Sequence, residues 1–591
     1  MNNTTWMLYN KKGDFYGLAE KLGVDPVLIR IMINRGIAPE EMEGYLHPSL
    51  DGLNDPYQMK DVKKASDIII KAINDHKRIR VIGDYDVDGI FSTYILTCGI
   101  KRAGGDVSYD IPHRITDGYG MNSRLVEQAH NDGIDLIVTC DNGIKAFDEV
   151  DMAKSLCMQV VVTDHHELGL SVDEAGRQVS RIPNADAVVN PHQPDCNYPF
   201  PEICGAVVAW KLIQVLYDLI GIRDEAMDFL PFAAFATIGD IMPLCDENRS
   251  IVYFGLKALR TVDNPGLISL MERLEITERP LNPYDIGFLL GPCFNASGRL
   301  DTALRGVELL LEKDHGLASA KAEQLRNLND QRKTMTEQGT REAIEILQSE
   351  GLENDTVLVV YVPNLHESLA GIVAGRLKEQ YYRPVFVLTR AQEGIKGSGR
   401  SIPGYSMASK LHGVEELLTR YGGHPMAAGV SLPLENLDEF RRRLNEQANL
   451  SDEDLKAVKW IDVPMPAAYV TREFIDQLSL LEPFGESNER PLFAEKDVQL
   501  LSARYMGSRQ QFVKFTVPGH DASRLEAVYF GDGQELIARL ETRYGSQEIG
   551  LLFSGRPQDI KLTFTYYPQI NSFMGRETLQ LRIEDYKISD S

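Results

Sequence analysis

The sequence predicts an α/β protein that has a parallel-sheet domain first, then a smaller α/β domain, then a β-barrel. Short apolar strands alternate with amphipathic helices from about residue 60 to residue 163. A second strand–helix alternation begins at Thr356, and short β-rich runs fill the chain from about Lys496. Apolar strands joined by crossover helices are typical of doubly wound parallel sheets, and short strands around one helix favour an OB-type barrel.

The first alternation sets out the larger sheet. Its strand candidates are continuous apolar runs, and each is followed by a helix long enough to cross back over the sheet. The predicted strands are 79–82, 107–111, 134–139 and 159–163, and the predicted helices are 61–75, 90–103, 122–132 and 145–156. Ligands of such sheets gather beyond the carboxyl ends of the strands, so polar residues there are candidates for a functional site.

Composition narrows the class of protein. The 591 residues suggest about three or four domains. A hydrophobic content of 43% and a charged content of 25% are ordinary for a soluble protein, and no apolar run of about 18 residues predicts a membrane helix. The N-terminus lacks the basic and apolar regions of a secretion signal. Seven Cys without a Cys-x-x-Cys pair indicate reduced thiols in a cytoplasm rather than a zinc ribbon.

The formal net charge of −24 would by itself argue against a nucleic-acid partner. The charge is unevenly distributed, because the segment from Lys496 to the C-terminus holds 12 basic and 12 acidic residues. The whole acidic excess therefore precedes Lys496, where bound metal would offset part of it.

Three carboxylates alternate at Asp84, Asp86 and Asp88, directly after the strand at 79–82. On an extended segment they would project from one face, and such crowding is costly unless a cation neutralises it. This predicts a hard-metal site at the strand end. The alternatives are a solvated acidic turn and a calcium loop. The calcium loop fails because it needs Glu at its twelfth position, which is Ile95 when counted from Asp84.

Three further polar groups follow apolar runs: Asp141-Asn142-Gly143, Asp164-His165-His166 and Asp240. Each has a simpler interpretation, as a common turn, an exposed histidine pair or a residue that ends a helix. If they meet at one edge of the sheet, carboxylates and imidazoles would form a ligand set for Mn²⁺ or Mg²⁺. Two such ions about 4 Å apart can clamp a phosphodiester and activate water.

These motifs resemble, in order, the four motifs of the DHH phosphoesterases. Further segments are similar to the RecJ family of single-strand-specific DNA exonucleases, and the resemblance runs from about residue 50 to the C-terminus. The segments similar to RecJ are 194–200, 204–206, 291–300, 397–401, 422–424 and 482–485.

The resemblance implies a metal-dependent exonuclease that degrades single-stranded DNA in the 5′→3′ direction to mononucleotides, in DNA repair and recombination. Two Mn²⁺ or Mg²⁺ ions are expected. The expected metal ligands are Asp86, Asp88, Asp141, His165 and Asp240. Asp84, Asp141 and His166 are the expected catalytic residues, with Asp84 and His166 orienting ligands or handling protons.

A second group of residues is expected to hold the substrate. Residues 396–401 are read as a Gly-rich basic loop whose free N–H groups would cradle phosphate, although an ordinary hairpin turn is equally consistent. Arg114 and Arg299 match positions that the family uses near the 5′ end, and surface ion pairing is their simpler interpretation. The expected substrate-binding residues are Arg114, Arg299, Ser398, Arg400, Ser401 and His424.

The predicted divisions of the chain follow these patterns: a helical preface at 1–50, the DHH catalytic domain at 51–317, a connecting helix at 318–350, the DHH-associated domain at 351–465, and a linker helix with the OB-type domain at 466–591. The connecting run is polar and free of Pro, so it predicts one bridging helix, or two helices broken near Gly339. From Lys496 onward 12 aromatics with interleaved basic residues suggest a platform for single strands, with two or three of them exposed. A strand is predicted there at 548–553.

Two other functions stay open from the sequence. One is a DHH phosphodiesterase for short oligoribonucleotides or cyclic dinucleotides, and the other is a non-catalytic DNA-binding replication scaffold. The expected partner is single-stranded DNA with a 5′ end, with a helicase and a single-strand-binding protein as further candidates. We expect a cytoplasmic monomer without a membrane partner.

Overall fold

The computed structural model describes residues 4–172, 178–573 and 575–588. The chain forms two compact units, Leu50–Lys456 and Met1–Ser49 with Ala457–Ser591. Within the described residues no helix is long and apolar enough to cross a membrane. The predicted domain divisions stay predictions.

The helices are α1 Phe15–Leu22, α2 Pro26–Arg35, α3 Met42–Leu46, α4 Val62–Asn74, α5 Val87–Arg102, α6 Ser123–Asn131, α7 Phe147–Ser155, α8 Gly205–Ile220, α9 Leu230–Gly239, α10 Asp246–Leu259, α11 Pro265–Arg273, α12 Gly291–Leu300, α13 Leu304–Leu311, α14 His315–Ser349, α15 Ala370–Tyr381, α16 Met407–His412, α17 Leu437–Glu446, α18 Arg472–Leu478, α19 Gly533–Tyr544 and α20 Ser546–Phe553. The strands are β1 Thr5–Leu8, β2 Arg78–Ile82, β3 Asp106–Asp110, β4 Leu136–Cys140, β5 Gln159–Thr163, β6 Gly169–Val172, β7 Gln178–Arg181, β8 Ala187–Val189, β9 Leu358–Tyr361, β10 Val385–Arg390, β11 Ile395–Arg400, β12 Arg420–Gly423, β13 Ala427–Leu432, β14 Val458–Ile461, β15 Val463–Pro464, β16 Phe493–Gln499, β17 Ser502–Met506, β18 Phe512–Pro518, β19 Arg524–Tyr529, β20 Lys561–Phe573 and β21 Arg576–Lys587.

The larger sheet has five parallel strands in the order β3-β2-β4-β5-β8. One face packs against α4, α5, α8 and α9, and the other packs against α6 and α7. The central strands β4 and β5 are mostly apolar because both of their faces are buried, whereas the edge strand β3 is polar and partly exposed. This confirms the predicted doubly wound sheet, and it brings the carboxyl ends of β2, β4 and β5 to one edge.

The helix α14 joins this sheet to the second one without a break. It has 35 residues, so it is about 50 Å long. Ala322 and Leu325 on its first half belong to the core of the larger sheet, whereas Ala343 and Leu347 pack in a core with α15 and β9. Gly339 lies inside this helix and does not break it. The glycine leaves room for Leu365, since a side chain there would clash with it. The bridging helix is therefore confirmed, and the break near Gly339 is excluded.

The second sheet has five strands in the order β12-β13-β11-β10-β9, with β9 and β10 parallel and the other pairs antiparallel. Residues 396–400, which the sequence predicts to be a Gly-rich loop, form strand β11 instead. The backbone of β11 pairs with β10 on one side and β13 on the other. The predicted cradle of free N–H groups is therefore wrong, because a central strand uses its N–H groups in the sheet.

The other unit contains a seven-stranded sheet in the order β15-β16-β20-β21-β19-β18-β17 and the two-stranded parallel sheet of β1 and β14. Helices α1 and α2 share its core with α18 and α19. The predicted β-rich domain is confirmed, but residues 548–553 form part of α20 and are not a strand. Ile549 and Leu552 are buried, and their spacing of three residues suits a helix face.

A buried ion pair fastens α8 to α10 behind the larger sheet. The Nζ atom of Lys211 lies 2.9 Å from Oε2 of Glu247, and both side chains are almost fully buried. Lys211 also donates to the carbonyl oxygen of Asn54 at 2.7 Å, and the hydroxyl of Tyr198 donates to Glu247. The two charges therefore depend on each other for compensation.

We expect Glu247→Ala to lower the free energy of unfolding by about 3–5 kcal/mol, because it leaves the Lys211 ammonium buried without its partner. Chemical denaturation followed by circular dichroism measures this loss. Glu446→Ala, which removes an exposed partner of Arg442 on α17, serves as the control and should change little. Equal effects of the two substitutions would refute the stabilising role of the buried pair.

Candidate metal centre and phosphate-binding surface

The helix α5 begins inside the acidic motif. Asp86 is the residue before its first turn and accepts a hydrogen bond from Gly89 N at 3.1 Å, and Asp88 lies within that turn. Asp84 lies in the connection from β2 and is buried. The expected extended segment with three acids on one face is therefore wrong, because Asp86 caps the helix and starts it earlier than predicted. The acids nevertheless reach two adjacent groups of ligand atoms.

Asp141 lies just after β4 and has a left-handed backbone with φ of 60°. The neighbouring Asn142 holds this turn, because its amide donates to the carbonyl oxygens of Ile82 at 3.0 Å and Cys140 at 2.9 Å. These bonds tie the ends of β2 and β4 together. The Asp141 side chain is thereby brought next to Asp84 and Asp86.

Asp164 follows β5 and positions both histidines. Its Oδ1 accepts from His165 N at 2.8 Å, from His166 N at 3.1 Å and from His166 Nδ1 at 2.8 Å. Burial acts to raise the pKa of Asp164, but the hydrogen bond from His166 and the histidine charges hold it below its usual range. Burial acts to lower the pKa of His166, but the same bond and the Asp164 charge raise it to about 9. Asp164 is absent from the predicted site residues, although it lies in a quoted motif.

His165 faces three carboxylates. Its Nε2 lies 3.1 Å from Asp141 Oδ1, 3.5 Å from Asp88 Oδ2 and 3.7 Å from Asp240 Oδ2. Burial lowers the pKa of His165 in spite of these charges, which favours the neutral imidazole that binds metals. Asp240 reaches the group from the C-terminal end of α9.

The N-terminus of α8 holds Asp88 in place. The N–H groups of Gly205 and Ala206 donate to the two carboxylate oxygens of Asp88 at 2.6 and 2.8 Å. A Cβ on Gly205 would lie 2.7 Å from Asp141 Cβ and 2.9 Å from Asp88 Oδ2. The segment 204–206, quoted only as part of the resemblance, therefore serves as an anion-binding helix start for a carboxylate of the site.

We call Asp84, Asp86, Asp88, Asp141, His165, His166 and Asp240 the acidic centre, and its chemistry fits a divalent cation. Among the described residues, Asp84 Oδ2 and Asp141 Oδ1 are buried and have no hydrogen-bond partner, although His165 Nε2 lies 3.1 Å from Asp141 Oδ1. Burial, followed by the charges of neighbouring carboxylates, raises the pKa of Asp84, Asp141 and Asp240 well above the usual range. The possible metal-ligand atoms fall into overlapping sets, and within each set the atoms lie within 4.8 Å of one another. Hard cations would stabilise such an arrangement.

Arg299 lies within electrostatic reach of Asp86 and of three other arginines, and we call Arg114, Arg299, Arg332 and Arg400 the arginine group. The Arg114 guanidinium lies 4.4 Å from the centre of the Tyr85 ring. Tyr85 itself stands between Asp84 and Asp86 in the sequence. Burial, then the charges of Arg114 and Arg332, lowers the pKa of Arg299 to about 9. Burial and the Arg114 charge also lower the pKa of Arg400. Such like charges, desolvated together, favour an anionic ligand.

The helix α12 connects the two groups. Asn295 Oδ1 accepts from Val87 N at 3.2 Å, inside the acidic motif. A side chain at Gly298 would clash with the carbonyl oxygen of Tyr85, so the helix lies directly against the motif. The next residue, Arg299, donates from Nη1 to the carbonyl oxygen of Ser368 at 2.7 Å. The segment 291–300 thereby fixes the arginine group relative to the acidic centre.

A cavity of about 440 Å³ borders the arginine group, and its lining includes Arg114, Ser368, Ser398, Lys396 and Arg420. Ser398 accepts from Arg400 Nη1 at 2.9 Å. The structure does not bring every expected substrate-binding residue to this surface. Ser401 is buried, and its hydroxyl donates to the carbonyl oxygen of Tyr405 at 2.6 Å. His424 is exposed in the turn after β12, and it is not among the residues that line the cavity.

The expected metal ligands and Asp84, Asp141 and His166 do lie together, although their roles stay predictions. Arg332 and Arg420 were not expected. Arg332 lies in the polar helix α14. From the sequence alone, an arginine of this helix that faces Arg299 cannot be distinguished from one that faces solvent. Arg420 precedes the quoted segment 422–424, which was the available signal.

The sheet, the acidic centre and the second domain define a DHH phosphoesterase. Residues 78–237 match the DHH family, N-terminal domain, residues 354–450 match the DHHA1 domain, and residues 461–585 match the RecJ OB domain. The chain is 34% identical over 578 residues to the single-stranded-DNA-specific exonuclease RecJ of Bacillus subtilis, covering 97% of this chain and 69% of that protein. It is 33% identical over 586 residues to RecJ of Escherichia coli, covering 95% of each. The chain belongs to the RecJ family.

Solved structures agree with this. The crystal structure of RecJ in complex with Mn²⁺ from Thermus thermophilus matches with a TM-score of 0.82 and 26% identity, covering 100% of this chain and 80% of that chain. A crystal structure of exonuclease RecJ bound to manganese matches with a TM-score of 0.58 and 32% identity, covering 67% of this chain and 96% of that chain. The family and fold class predicted from the sequence are confirmed.

We expect Arg400→Met to remove the stabilisation of the protein by inorganic phosphate, because it breaks up a group of cations desolvated together. Without phosphate the variant should melt no lower than the wild type, since one source of repulsion is gone. Differential scanning fluorimetry over a phosphate titration measures both effects. Arg442→Met, at an exposed ion-paired position on α17, is the matched control and should keep the wild-type response. A wild-type phosphate response in Arg400→Met would refute the assignment.

Proposed function

We propose that this chain is a metal-dependent exonuclease that degrades single-stranded DNA from its 5′ end to mononucleotides and serves DNA repair and recombination. The observation that carries the proposal is the fixed connection, through α12, of an acidic centre to an arginine group. The acidic centre suits a scissile phosphodiester, and the arginine group suits a terminal phosphate. The names and metal complexes of the relatives support the same reaction.

The acidic centre would hold two divalent ions, Mn²⁺ or Mg²⁺, through Asp86, Asp88, Asp141, His165 and Asp240, with Asp84 as a flanking partner. Bound there, the ions would activate water and neutralise charge on the phosphodiester. Asp164 fixes the Nδ1 proton of His166, so Nε2 is the atom through which His166 would exchange a proton with the substrate. Gly205 N and Ala206 N fix the orientation of the Asp88 carboxylate for this role.

Direction would come from the arginine group. Arg114, Arg299 and Arg400, with Ser398, would bind the 5′ phosphate while the next phosphodiester lies at the acidic centre. Tyr85, which belongs to the acidic motif, carries Arg114 on its ring. A strand held at its terminal phosphate would be cut one nucleotide at a time from that end.

The unit formed by residues 1–49 and 457–591 would bind the single strand further from its 5′ end. In the part described from Lys496 onward, Phe530 is 42% exposed and Phe553 is 36% exposed. The Arg582 guanidinium lies 5.6 Å from the centre of the Phe530 ring. An exposed ring beside a cation suits stacking on a base next to a phosphate.

We propose in addition that the enzyme is a cytoplasmic monomer that receives strands from a helicase and a single-strand-binding protein. The single-stranded-DNA specificity in the names of the relatives supports the need for a partner that supplies single strands.

Asp141→Asn should reduce the rate of hydrolysis by about 100-fold or more with the fold retained. The substitution removes the charge of a buried carboxylate that belongs to two of the sets of possible metal ligands. The assay compares 5′-phosphorylated single-stranded DNA with duplex DNA, RNA and a cyclic dinucleotide, in Mn²⁺, Mg²⁺ or chelator. Asp148→Asn, at an exposed position in the first turn of α7, is the control.

The wild type should degrade only the single-stranded DNA efficiently, and chelator should stop it. Near-normal activity of Asp141→Asn would refute the assignment of the site. Preference for the cyclic dinucleotide would favour a small-substrate phosphodiesterase, and binding of DNA without cleavage would favour a scaffold.

Phe530→Ala should raise KM about tenfold for long single strands, because it removes a stacking surface. It should leave KM unchanged for strands too short to reach this unit. Steady-state kinetics over a series of strand lengths measures the difference, and Tyr16→Ala, at a ring that is 78% exposed on α1, is the control. The same change at every length would contradict a role for this ring in holding the strand.

A further inference from the structure

The cavity beside the arginine group is longer than a single terminal phosphate requires. It begins at Arg114, Ser368 and Ser398, which belong to or contact the arginine group, and extends to Lys396 and Arg420. Lys396 and Arg420 line the same volume of about 440 Å³, and neither belongs to the acidic centre or to the arginine group. Whatever lies there would be attached to the 5′ end of a strand, beyond the phosphate that the arginine group binds.

The floor of this extension is one face of the second sheet. Lys396, Ser398 and Arg400 alternate along β11, so their side chains share that face. Helices α16 and α17 contribute to the core on the opposite face, and α14 and α15 pack over β9 and β10. Helix α15 also reaches β11, since a Cβ on Gly371 would lie 3.1 Å from Ser398 Oγ and 2.8 Å from Arg400 Nη2. The open part therefore consists of β13, β12 and the Lys396 end of β11.

The register across those strands separates two rows. Ser398, Gly429 and Gly422 lie opposite one another, and a Cβ on either glycine would meet no atom within 4 Å. The next row consists of Lys396, Ser431 and Arg420. The first row leaves bare backbone that a ligand can approach, and the second places two cations and a hydroxyl about 7 Å further along the sheet.

The charge of the second row favours an anion. Lys396 forms an ion pair with Glu367, which also lines the cavity. Arg420 is exposed and has no ion pair within the described parts of the chain. Arg114, Lys396 and Arg420 together outweigh Glu367, so the cavity has basic character along its length.

We propose that this extension binds the β- and γ-phosphates of a strand whose 5′ nucleotide carries a di- or triphosphate, and the proposal rests on the proposed exonuclease function. Phosphates beyond the first continue away from the scissile bond, toward Lys396, Ser431 and Arg420. Cleavage would be the same hydrolysis: water adds to the phosphorus of the second nucleotide, its bond to the 3′ oxygen breaks, and that oxygen takes up a proton. The first product would be an intact nucleoside 5′-triphosphate, and the remaining strand would carry a 5′-monophosphate.

The test compares otherwise identical single-stranded DNAs with a 5′-monophosphate or a 5′-triphosphate. The wild type should degrade both, and chromatography of the first turnover should show nucleoside 5′-triphosphate from the second. Arg420→Ala should raise KM for the triphosphate strand about tenfold more than for the monophosphate strand. Ser431→Ala provides a second, smaller change at the same row, and Arg442→Ala should alter neither KM.

A block of the triphosphate strand in the wild type, release of pyrophosphate with a nucleoside monophosphate, or equal effects of Arg420→Ala on both strands would overturn the proposal. Failure of the wild type on the monophosphate strand would instead contradict the exonuclease function. In that case fluorescence anisotropy with the two 5′ ends still decides the binding question, because Arg420→Ala must weaken the triphosphate end selectively.

Discussion

The mutual repulsion of carboxylates buried at the carboxyl edge of one parallel sheet is the constraint on which this structure depends. Asp84, Asp141 and Asp240 are held in low-dielectric surroundings close to other acids, and burial with repulsion raises the pKa of each. Internal hydrogen bonds relieve this only in part, since within the described part of the chain Asp84 Oδ2 and Asp141 Oδ1 accept none. Instead it fixes the acids from outside, through Asn142, Asp164 and the start of α8. The strain is one that a divalent cation would remove.

The arginine group repeats the same design with the opposite sign. Burial, followed by the charge of Arg114, lowers the pKa of Arg299 and of Arg400. The backbone of Ser368 and the hydroxyl of Ser398 accept hydrogen bonds from these two arginines. The helix α12 contacts the acidic motif through Asn295 and ends near Arg299. An acidic centre that needs cations thus lies at a set distance from a basic surface that needs an anion. A phosphodiester chain satisfies both.

Sequence patterns predicted the elements whose physical cause is local or periodic. The two sheets follow from apolar runs, and α14 follows from a long polar run without Pro. The residues at the edge of the larger sheet follow from the acids that end its apolar runs. The start of α5 was missed because the side chain of Asp86 caps the helix. The helix therefore begins before Asp88, and the segment is not extended there. Asp164 was missed as a site residue because its role depends on hydrogen bonds to both histidines that a pattern does not show.

The errors in the second half of the chain have a common origin. Residues 396–401 look like a loop because Gly is rare in strands, but here the glycines let β11 pack closely. A Cβ on Gly399 would clash with Met407 and Phe386, and one on Gly397 would clash with the backbone of Val387. Residues 548–553 look like a strand because the run is short and apolar, and only the burial of Ile549 with Leu552 distinguishes the helix. The position of Ser401 and the inward direction of Arg332 are set by tertiary packing, which spacing along the chain does not encode.

The most direct measurement of the central claim is the binding of Mn²⁺ to the isolated protein, by calorimetric titration together with the melting temperature. We expect the wild type to bind two ions per chain and to melt at a higher temperature when they are bound, because they neutralise buried carboxylates. Asp88→Asn should lose much of this binding and melt no lower than the wild type without metal. Absence of binding in the wild type, or an unchanged response in Asp88→Asn, would contradict the claim.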